Sequence, residues 1–286
     1  DLGVLLRERR TQLQDVVDEL DWQSLERRRA ARELVASLLV SAAAMRRDLS
    51  PADVQDAQRK AALLRRFKKD VAAQVTACVQ ALLAVYGFDK NDAEVDVAPW
   101  TQGRWEADLF NVHTLKDASQ KLGTGAAVGA AVGLVADVAL AGLSLGTGTA
   151  LGAAVGGLAS QGWSQVPRKI ANRMRGVEEL TLENAVLLVL AGSMVRLCAA
   201  LDQRGHAAWL KMHVAPATTL TRQGQESKED DESDLHALIA SLAAARSHPQ
   251  WENPPTAQAS TDARRSALVE RTGQRLRVLL QPPQCS

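Results

Sequence analysis

The sequence predicts an all-α fold, in which long amphipathic helices surround a glycine-zipper helical hairpin. Hydrophobic residues form 46% of the 286-residue chain, which is enough for a sizeable core. Most of them are Ala, Leu and Val, whereas the chain has one Tyr and three Phe, a mixture that favours helices over strands. Apolar residues also recur at helical spacing along most of the chain.

These patterns divide the chain into four segments. Residues 1–104 are predicted to form long N-terminal helices and a loop, and residues 105–215 the hairpin with a core helix after it. Residues 216–233 are predicted to be an acidic flexible linker, and residues 234–286 to form the C-terminal helices.

The N-terminal segment contains clear helix start and stop signals. Apolar positions over residues 1–48 predict one long helix or two. Ser50 and Pro51 are typical of an N-cap and a first helical residue, because Pro lacks the N–H that a helix start leaves unpaired. The helix that they begin is predicted to extend to Tyr86. Gly87 is then a suitable left-handed cap, before a loop over residues 88–103.

The later helices are predicted from similar signals. Thr114 and Asp117 have the spacing of a capping box. Thr181 is predicted to begin a strongly apolar core helix, Leu182 to Leu201. Two amphipathic helices end the chain, over residues 234–247 and 261–280.

A short internal repeat predicts the hairpin. Residues 123–133 and 146–156 differ at only two positions, which indicates two similar helical legs. In each leg a glycine recurs at every fourth residue: Gly125, Gly129, Gly133, Gly148, Gly152 and Gly156. Residues four apart share a helix face, so each leg offers a strip where another backbone can approach closely. We therefore predict an antiparallel hairpin over residues 122–163, with its turn at Gly142–Gly146.

The charges around the hairpin suit contact with a membrane. Asp137 is the single charged residue between Lys121 and Arg168. Basic residues flank the segment on both sides: Lys116, Lys121, Arg168, Lys169, Arg173 and Arg175. Under the positive-inside rule this pattern fits a hairpin with both ends in the cytoplasm. Each leg is about 25 to 28 Å long as a helix, against a hydrocarbon thickness of about 30 Å. Asp137 continues the glycine spacing, so we expect it to be buried and paired.

Composition and motifs exclude several other classes of function. A net charge of +1 gives no general drive towards nucleic acid. The cysteines Cys78, Cys198 and Cys285 lack paired spacing, so we expect no disulfide framework and a reducing cytoplasm. The spacing of Cys198, His206 and His213 matches no metal site. We expect no catalytic residue, cofactor or metal.

Two other patterns have competing explanations. The glycines 123, 125 and 129 are spaced somewhat like a dinucleotide-binding turn, but no strand is predicted before them. Basic clusters at residues 27–32 and 65–69 could contact anionic lipid head groups, although solvated helix faces are the interpretation we favour.

Two stretches after the hairpin carry a resemblance to a known family. They are RGVEELTLENAVL from Arg175 to Leu187 and LDQRGHAA from Leu201 to Ala208. Together with Leu109-Phe110 and the hairpin, they resemble the helical domain of unknown function that follows the GTP-binding domain in a family of bacterial Era-like GTPase proteins. The resemblance covers residues 105–208, is weaker over residues 1–104 and is absent beyond residue 215. It implies an upstream GTPase domain, whose phosphate and magnesium residues have no counterpart here.

Three functional hypotheses follow. The first is a non-catalytic module of a GTPase-like protein, whose hairpin inserts into or packs at the cytoplasmic face of the inner membrane. Its expected partners are membrane lipid, an upstream GTPase domain and further copies of itself. The alternative is a soluble interaction scaffold, with the hairpin buried in its core and the N-terminal helices paired with a partner protein. A pore-former ranks third. Because Asp1 opens the chain in place of Met, we expect a longer protein.

Overall fold

The computed structural model describes residues 2–88, 109–121, 143–145, 178–204, 229–253 and 262–280. Within these ranges the chain is mainly helical, as predicted, but it also contains a small three-stranded sheet that was not predicted. The helices and strands are α1 Leu2–Ala44, β1 Arg46–Leu49, α2 Pro51–Gln55, α3 Ala57–Val85, α4 Val112–Lys121, β2 Leu143–Leu145, β3 Glu178–Leu182, α5 Asn184–Arg204, α6 Glu229–Ser241 and α7 Ala263–Leu280. Two short 3-10 helices, Leu242–Ser247 and Pro249–Trp251, follow α6.

The N-terminal helix α1 is a single helix of 43 residues. It ends at Ala44, four residues before the predicted end, because residues 46–49 enter the sheet as β1. The N–H of Met45 still donates to the carbonyl groups of Ser41 and Ala42, at 3.1 and 3.2 Å. The chain therefore passes directly from its longest helix into a strand.

The start of α2 confirms the predicted cap. The N–H of Asp53 donates to the Ser50 hydroxyl at 3.3 Å, and the Asp53 carboxylate accepts from the N–H of Ser50 at 3.1 Å. The predicted continuous helix to Tyr86 is wrong at Asp56, whose backbone is extended and whose carboxylate caps α3 instead. Gly87 has a positive φ of 74°, which confirms the left-handed cap.

The predicted capping box at Thr114 is wrong. Helix α4 begins at Val112, and the side-chain oxygen of Asn111 accepts from the N–H groups of His113 and Thr114 at 3.0 and 3.3 Å. Asn is as good an N-cap as Thr or better, so the helix starts at the earlier residue.

The sheet has the order β1-β3-β2, and both pairings are antiparallel. The central strand β3 alternates buried Leu180 and Leu182 with partly exposed Glu179 and Thr181. That period of two is typical of a strand with one buried face. The predicted helix start at Thr181 is therefore wrong by three residues, whereas the core helix itself, α5, is confirmed.

The described end of the acidic run that was predicted as a linker is helical. Residues 229–233 were predicted to be linker, but they form the first turns of α6. Carboxylates are favourable near a helix N-terminus, where the helix dipole is positive, so an acidic run suits a helix start as well as a linker. At the next helix, Asp262 accepts from the N–H of Arg264 at 2.9 Å, and α7 agrees with the prediction.

One buried cluster joins these elements. The C-terminal half of α1 packs against α3, α5, α7 and the first 3-10 helix, and α5 also packs against α4. The cluster draws residues from three of the four predicted segments, 1–104, 105–215 and 234–286. Its buried cation Arg265 donates to the hydroxyls of Ser37 and Ser41, both at 3.0 Å, and so ties α7 to α1.

Candidate functional site

The residues of the predicted hairpin lie almost entirely outside the described part of the chain. This applies to the zipper glycines, to Asp137 and to four of the flanking basic residues: Gly125, Gly129, Gly133, Gly148, Gly152, Gly156, Asp137, Arg168, Lys169, Arg173 and Arg175. Lys116 and Lys121 lie in α4. The structure therefore describes where the glycine-rich segment attaches, at α4, β2 and β3.

The predicted turn of the hairpin is wrong, because its middle is a strand. Leu143–Leu145 form β2, which pairs with β3 so that Leu143 faces Leu182 and Leu145 faces Leu180. In a strand, Leu143 and Leu145 of this segment face one side and Ser144 faces the other. The segment pairs with the edge of β3 that is not paired with β1. The segments on either side of β2, residues 122–142 and 146–177, consequently begin and end at described elements of the fold.

A partly buried ion cluster holds the sheet against the helices. The guanidinium of Arg47 in β1 donates to both oxygens of Glu252 at 2.7 and 2.6 Å, and to Asp70 of α3 at 3.3 Å. It also lies 5.7 Å from the centre of the Phe67 ring. The hydrogen bonding of the Arg47 guanidinium to the Glu252 carboxylate is the main cause that raises the pKa of Arg47. This cluster was not predicted, because Arg47, Asp70 and Glu252 are far apart along the chain.

The two basic clusters are partly used within the fold. Arg28 forms an ion pair with Asp202 at 2.8 Å, and the hydrogen bond to that carboxylate raises the pKa of Arg28. Burial, with Arg277 nearby, lowers the pKa of Arg32. In the second cluster Lys68 lies 5.0 Å from the centre of the Phe110 ring. In each cluster, at least one basic side chain therefore contacts another residue of the same chain.

The cysteines that the structure describes are buried within the fold or nearly so. Burial is the main cause that raises the pKa of the Cys78 and Cys198 thiols to about 12. Cys285, His206 and His213 lie outside the described ranges. Among residues that the structure does describe, no three His, Cys, Asp or Glu side chains are grouped as metal ligands would be.

One described helix is long and apolar enough to cross a membrane. It is α5, over Asn184–Asp202, and most of that stretch is buried inside the fold. Its residues pack against α1, α4 and α7. The structure therefore uses it as a core helix.

Among the described residues, most of the exposed large apolar side chains lie on the N-terminal half of α1. We call residues 2–26 the arm. Every described side chain from Arg9 to Gln23 is exposed, and the exposed fraction is 66% for Leu13 and 55% for Leu20. Leu13, Val16, Val17 and Leu20 are spaced three and four residues apart, so they form one apolar strip along a helix face. We call these four residues the arm strip.

The arm strip continues a face that is buried elsewhere on the same helix. Steps of seven residues from Val17 lead to Ala31 and Leu38, both of which are buried in the core. Trp22 and Leu25 are exposed too, but they lie on other faces of α1. The described part of the chain therefore offers an exposed apolar strip whose last residue, Leu20, lies about three helical turns before the first buried core residue, Ala31.

Comparison with known proteins gives one match. The family model described as "Domain of unknown function (DUF3482)" matches residues 1–273. No curated protein and no solved structure matches the chain. The match extends well beyond residues 105–208, so the weaker resemblance expected over residues 1–104, and its absence beyond residue 215, were underestimates.

Proposed function

The chain belongs to the family described as a domain of unknown function (DUF3482), and from this premise we propose that it is a non-catalytic module that associates with a membrane. The contact is made by residues 122–163 at the cytoplasmic face of the inner membrane. In the longer protein the module follows an Era-like GTPase domain, whose nucleotide state alters the exposure of the segment. The main support for the proposal is the charge pattern of the sequence. Asp137 is the single charged residue between Lys121, which ends one basic flank, and Arg168, which begins the other.

The sheet pairing favours contact at the membrane surface over crossing. In a spanning hairpin the turn lies on the far side of a hydrocarbon layer about 30 Å thick. The middle of this segment, β2, instead pairs with β3 beside the start of α5. Crossing and returning takes about 40 residues, and neither residues 122–142 nor residues 146–177 reach that length. The module therefore packs its apolar runs at the surface.

Vesicle flotation tests membrane association. We expect the full chain to float with vesicles that contain phosphatidylglycerol, and to float less with phosphatidylcholine alone, because basic residues near an anionic surface each contribute about 1 kcal/mol. The double substitution Lys169→Glu and Arg173→Glu should lower the floated fraction several-fold. The matched control reverses Arg271 and Arg275, which are exposed on α7, and should float like the parent chain.

Dye release separates surface packing from pore formation. Vesicles that bind the chain should retain an entrapped dye at both neutral and mildly acidic pH, because neither apolar run is long enough to cross and return. Leakage on binding would favour a pore-former. A chain that stays with the unbound fraction at all lipid compositions would contradict membrane association.

The second candidate is a soluble interaction scaffold, and the exposed arm favours it. In this case residues 122–163 are buried in the core. On the predicted helical leg, Leu134 and Val138 are on the side away from the zipper glycines, so the double substitution of these two residues to Lys discriminates between the candidates. In a scaffold it should lower the free energy of unfolding by several kcal/mol, because it buries two unpaired charges. In a membrane module it should leave that free energy nearly unchanged and abolish flotation.

A further inference from the structure

The first half of α3 carries a concentration of positive charge that the second half lacks. Residues 59–69 contain six basic residues and no acidic residue, whereas residues 71–85 contain no charged residue. The exposed residues of that second half are uncharged: Ala73, Ala77, Gln80 and Ala84. The positive charge of α3 is therefore confined to one end of the helix.

Most of these basic residues lie on the side of α3 that faces away from the core. The opposite side, with Leu64, Phe67 and Val71, belongs to the buried cluster. Four basic residues are exposed on the outward side, and we call them the α3 basic face: Arg59, Arg65, Arg66 and Lys69. Arg59 lies 3.3 Å from Asp56, whereas the described ion pairs include none of the other three.

The same half of α3 is fixed against the sheet. Arg47 of β1 contacts Asp70 at 3.3 Å and lies 5.7 Å from the centre of the Phe67 ring. Residues 122–142 end where β2 begins, and residues 146–177 run from the end of β2 to the start of β3. Neighbouring strands are about 4.8 Å apart, so β2 lies about 10 Å from β1. Three of the four points where the glycine-rich segment attaches are therefore close to the basic half of α3.

The other basic cluster, at residues 27–32 of α1, lies at the opposite end of α3. Arg28 is close enough to Tyr86, which caps the C-terminal end of α3, for their charges to interact. Arg28 also precedes Ala44, the last residue of α1, by 16 residues, or about 24 Å of helix. Two clusters of similar composition therefore differ in their distance from the glycine-rich segment, which sequence alone does not reveal.

The charge around the α3 basic face indicates what it contacts. Residues 46–70 contain eight basic and four acidic residues, a net charge of +4 in a chain whose net charge is +1. Three of those acids already have partners in the fold, since Asp53 and Asp56 cap helices and Asp70 pairs with Arg47. A local positive surface beside a segment suited to membrane contact complements the phosphate groups of anionic lipids.

We propose that the α3 basic face contacts the phosphate groups of anionic phospholipids beside the glycine-rich segment. The inference rests on the proposed membrane association and gives it a second contact and an orientation. The end of the core that carries the sheet faces the lipid, and the end that carries Arg28 and Tyr86 faces away from it.

Flotation of the full chain with phosphatidylglycerol vesicles tests the contact. The triple substitution Arg65→Gln, Arg66→Gln and Lys69→Gln should lower the partition coefficient about tenfold or more, because each basic residue near such a surface contributes about fivefold. The matched control removes the same charge from exposed residues elsewhere and should stay within about twofold of the parent chain: Arg29→Gln, Arg271→Gln and Arg275→Gln. Both variants should keep the parent unfolding midpoint, because all six side chains are exposed.

Fluorescent labels on α3 test the orientation separately from the affinity. Ala62 and Ala84 are both exposed on the outward side of α3 and lie about 33 Å apart along its axis. Ala62→Cys and Ala84→Cys are each introduced with Cys285→Ser, since the fold largely shields the other two thiols. Phosphatidylglycerol vesicles should protect a dye at position 62 from quenching by acrylamide, and should leave a dye at position 84 as quenchable as in solution.

The variants and the parent chain separate failure of this inference from failure of membrane association. A parent chain that does not float contradicts both. If the parent chain floats, the inference is overturned by a triple variant that floats equally well, by an equal loss in the matched control, or by equal protection of the two dyes. A triple variant that floats like the parent chain but loses binding to a DNA duplex would assign the α3 basic face to nucleic acid instead.

Discussion

The two halves of α1 use the same helix face in opposite ways. Over residues 31–44 that face is buried against α3, α5 and α7, whereas over the arm the same face is exposed. The buried half is rich in Ala, which allows close approach of neighbouring helices, and the arm places Asp and Glu among its apolar residues. Helical periodicity therefore identifies which face can be buried, while the neighbouring elements decide whether it is.

A pair of leucines on this one helix provides the largest expected contrast. Leu39 is fully buried in the core, and Leu25 is 60% exposed on the arm, away from the arm strip. We expect Leu39→Ala to lower the free energy of unfolding by about 2 to 5 kcal/mol, because it removes buried methyl groups and leaves a cavity. Leu25→Ala should change it by less than about 0.5 kcal/mol.

Urea denaturation followed by circular dichroism measures both values. The samples should be dilute enough that sedimentation shows monomers, so that any pairing of the arms does not add to the stability. A loss of more than about 1 kcal/mol for Leu25→Ala would mean that the arm is packed and that the contrast between the halves is smaller than the structure indicates.

The helix ends show which structural features can be predicted from a few neighbouring residues. Ser50, Pro51 and Gly87 act through backbone geometry within a few residues, and the structure confirms all three. The predicted start of α5 was wrong because two patterns overlap in Glu178–Leu182. Its apolar content fits a helix, whereas its alternation fits a strand. A window of sequence cannot choose between the two.

The sheet was missed because its partners are far apart. Arg46 pairs with Thr181, 135 residues later, and β2 is only three residues long. Neither strand is recognisable without the other. The exposure of the arm was equally hidden, because the spacing of Leu13, Val17 and Leu20 is that of any core-facing helix. The hairpin prediction stays a prediction, since its zipper glycines lie outside the described residues.

Ion pairs give a second contrast, between the partly buried cluster at β1 and the exposed surface of α1. Arg47 contacts Glu252 through two short hydrogen bonds, and Glu252 is only 18% exposed. Arg29 and Glu26, in contrast, are 3.7 Å apart and largely exposed. Glu252→Gln should lower the free energy of unfolding by roughly 1 to 2 kcal/mol. This is the contribution of a charged hydrogen bond, reduced because Arg47 is partly exposed to solvent.

The matched change Glu26→Gln should cost less than about 0.5 kcal/mol, because exposed ion pairs contribute little. Raising the salt concentration should remove most of the small Glu26 effect and less of the Glu252 effect, since partly buried pairs are screened less. Equal losses for the two variants would show that the cluster at β1 does not hold the sheet more firmly than a surface pair.

A pH-dependent effect is expected for a single carboxyl group, Glu183, which directly precedes α5. Burial is the main cause that raises the pKa of Glu183, and the charge of Arg246 opposes the rise without cancelling it. One of its oxygens is buried without a hydrogen-bond partner. Below the ordinary carboxyl pKa the group is protonated in both the folded and unfolded chains, so it carries no charge penalty. As pH rises, the unfolded chain releases its proton first, and the parent chain loses stability until pH exceeds the folded pKa.

Glu183→Gln should therefore match the parent chain near pH 3 and become the more stable of the two towards pH 7, by about 1.4 kcal/mol for each unit by which the pKa is raised. Thermal unfolding across that pH range measures the difference, with Glu33→Gln on an exposed face of α1 as the control that should stay close to the parent at every pH. A Gln variant that is less stable than the parent chain at pH 7 would mean that attraction to Arg246 outweighs the cost of burying the charge. The ionised carboxylate would then stabilise the folded chain.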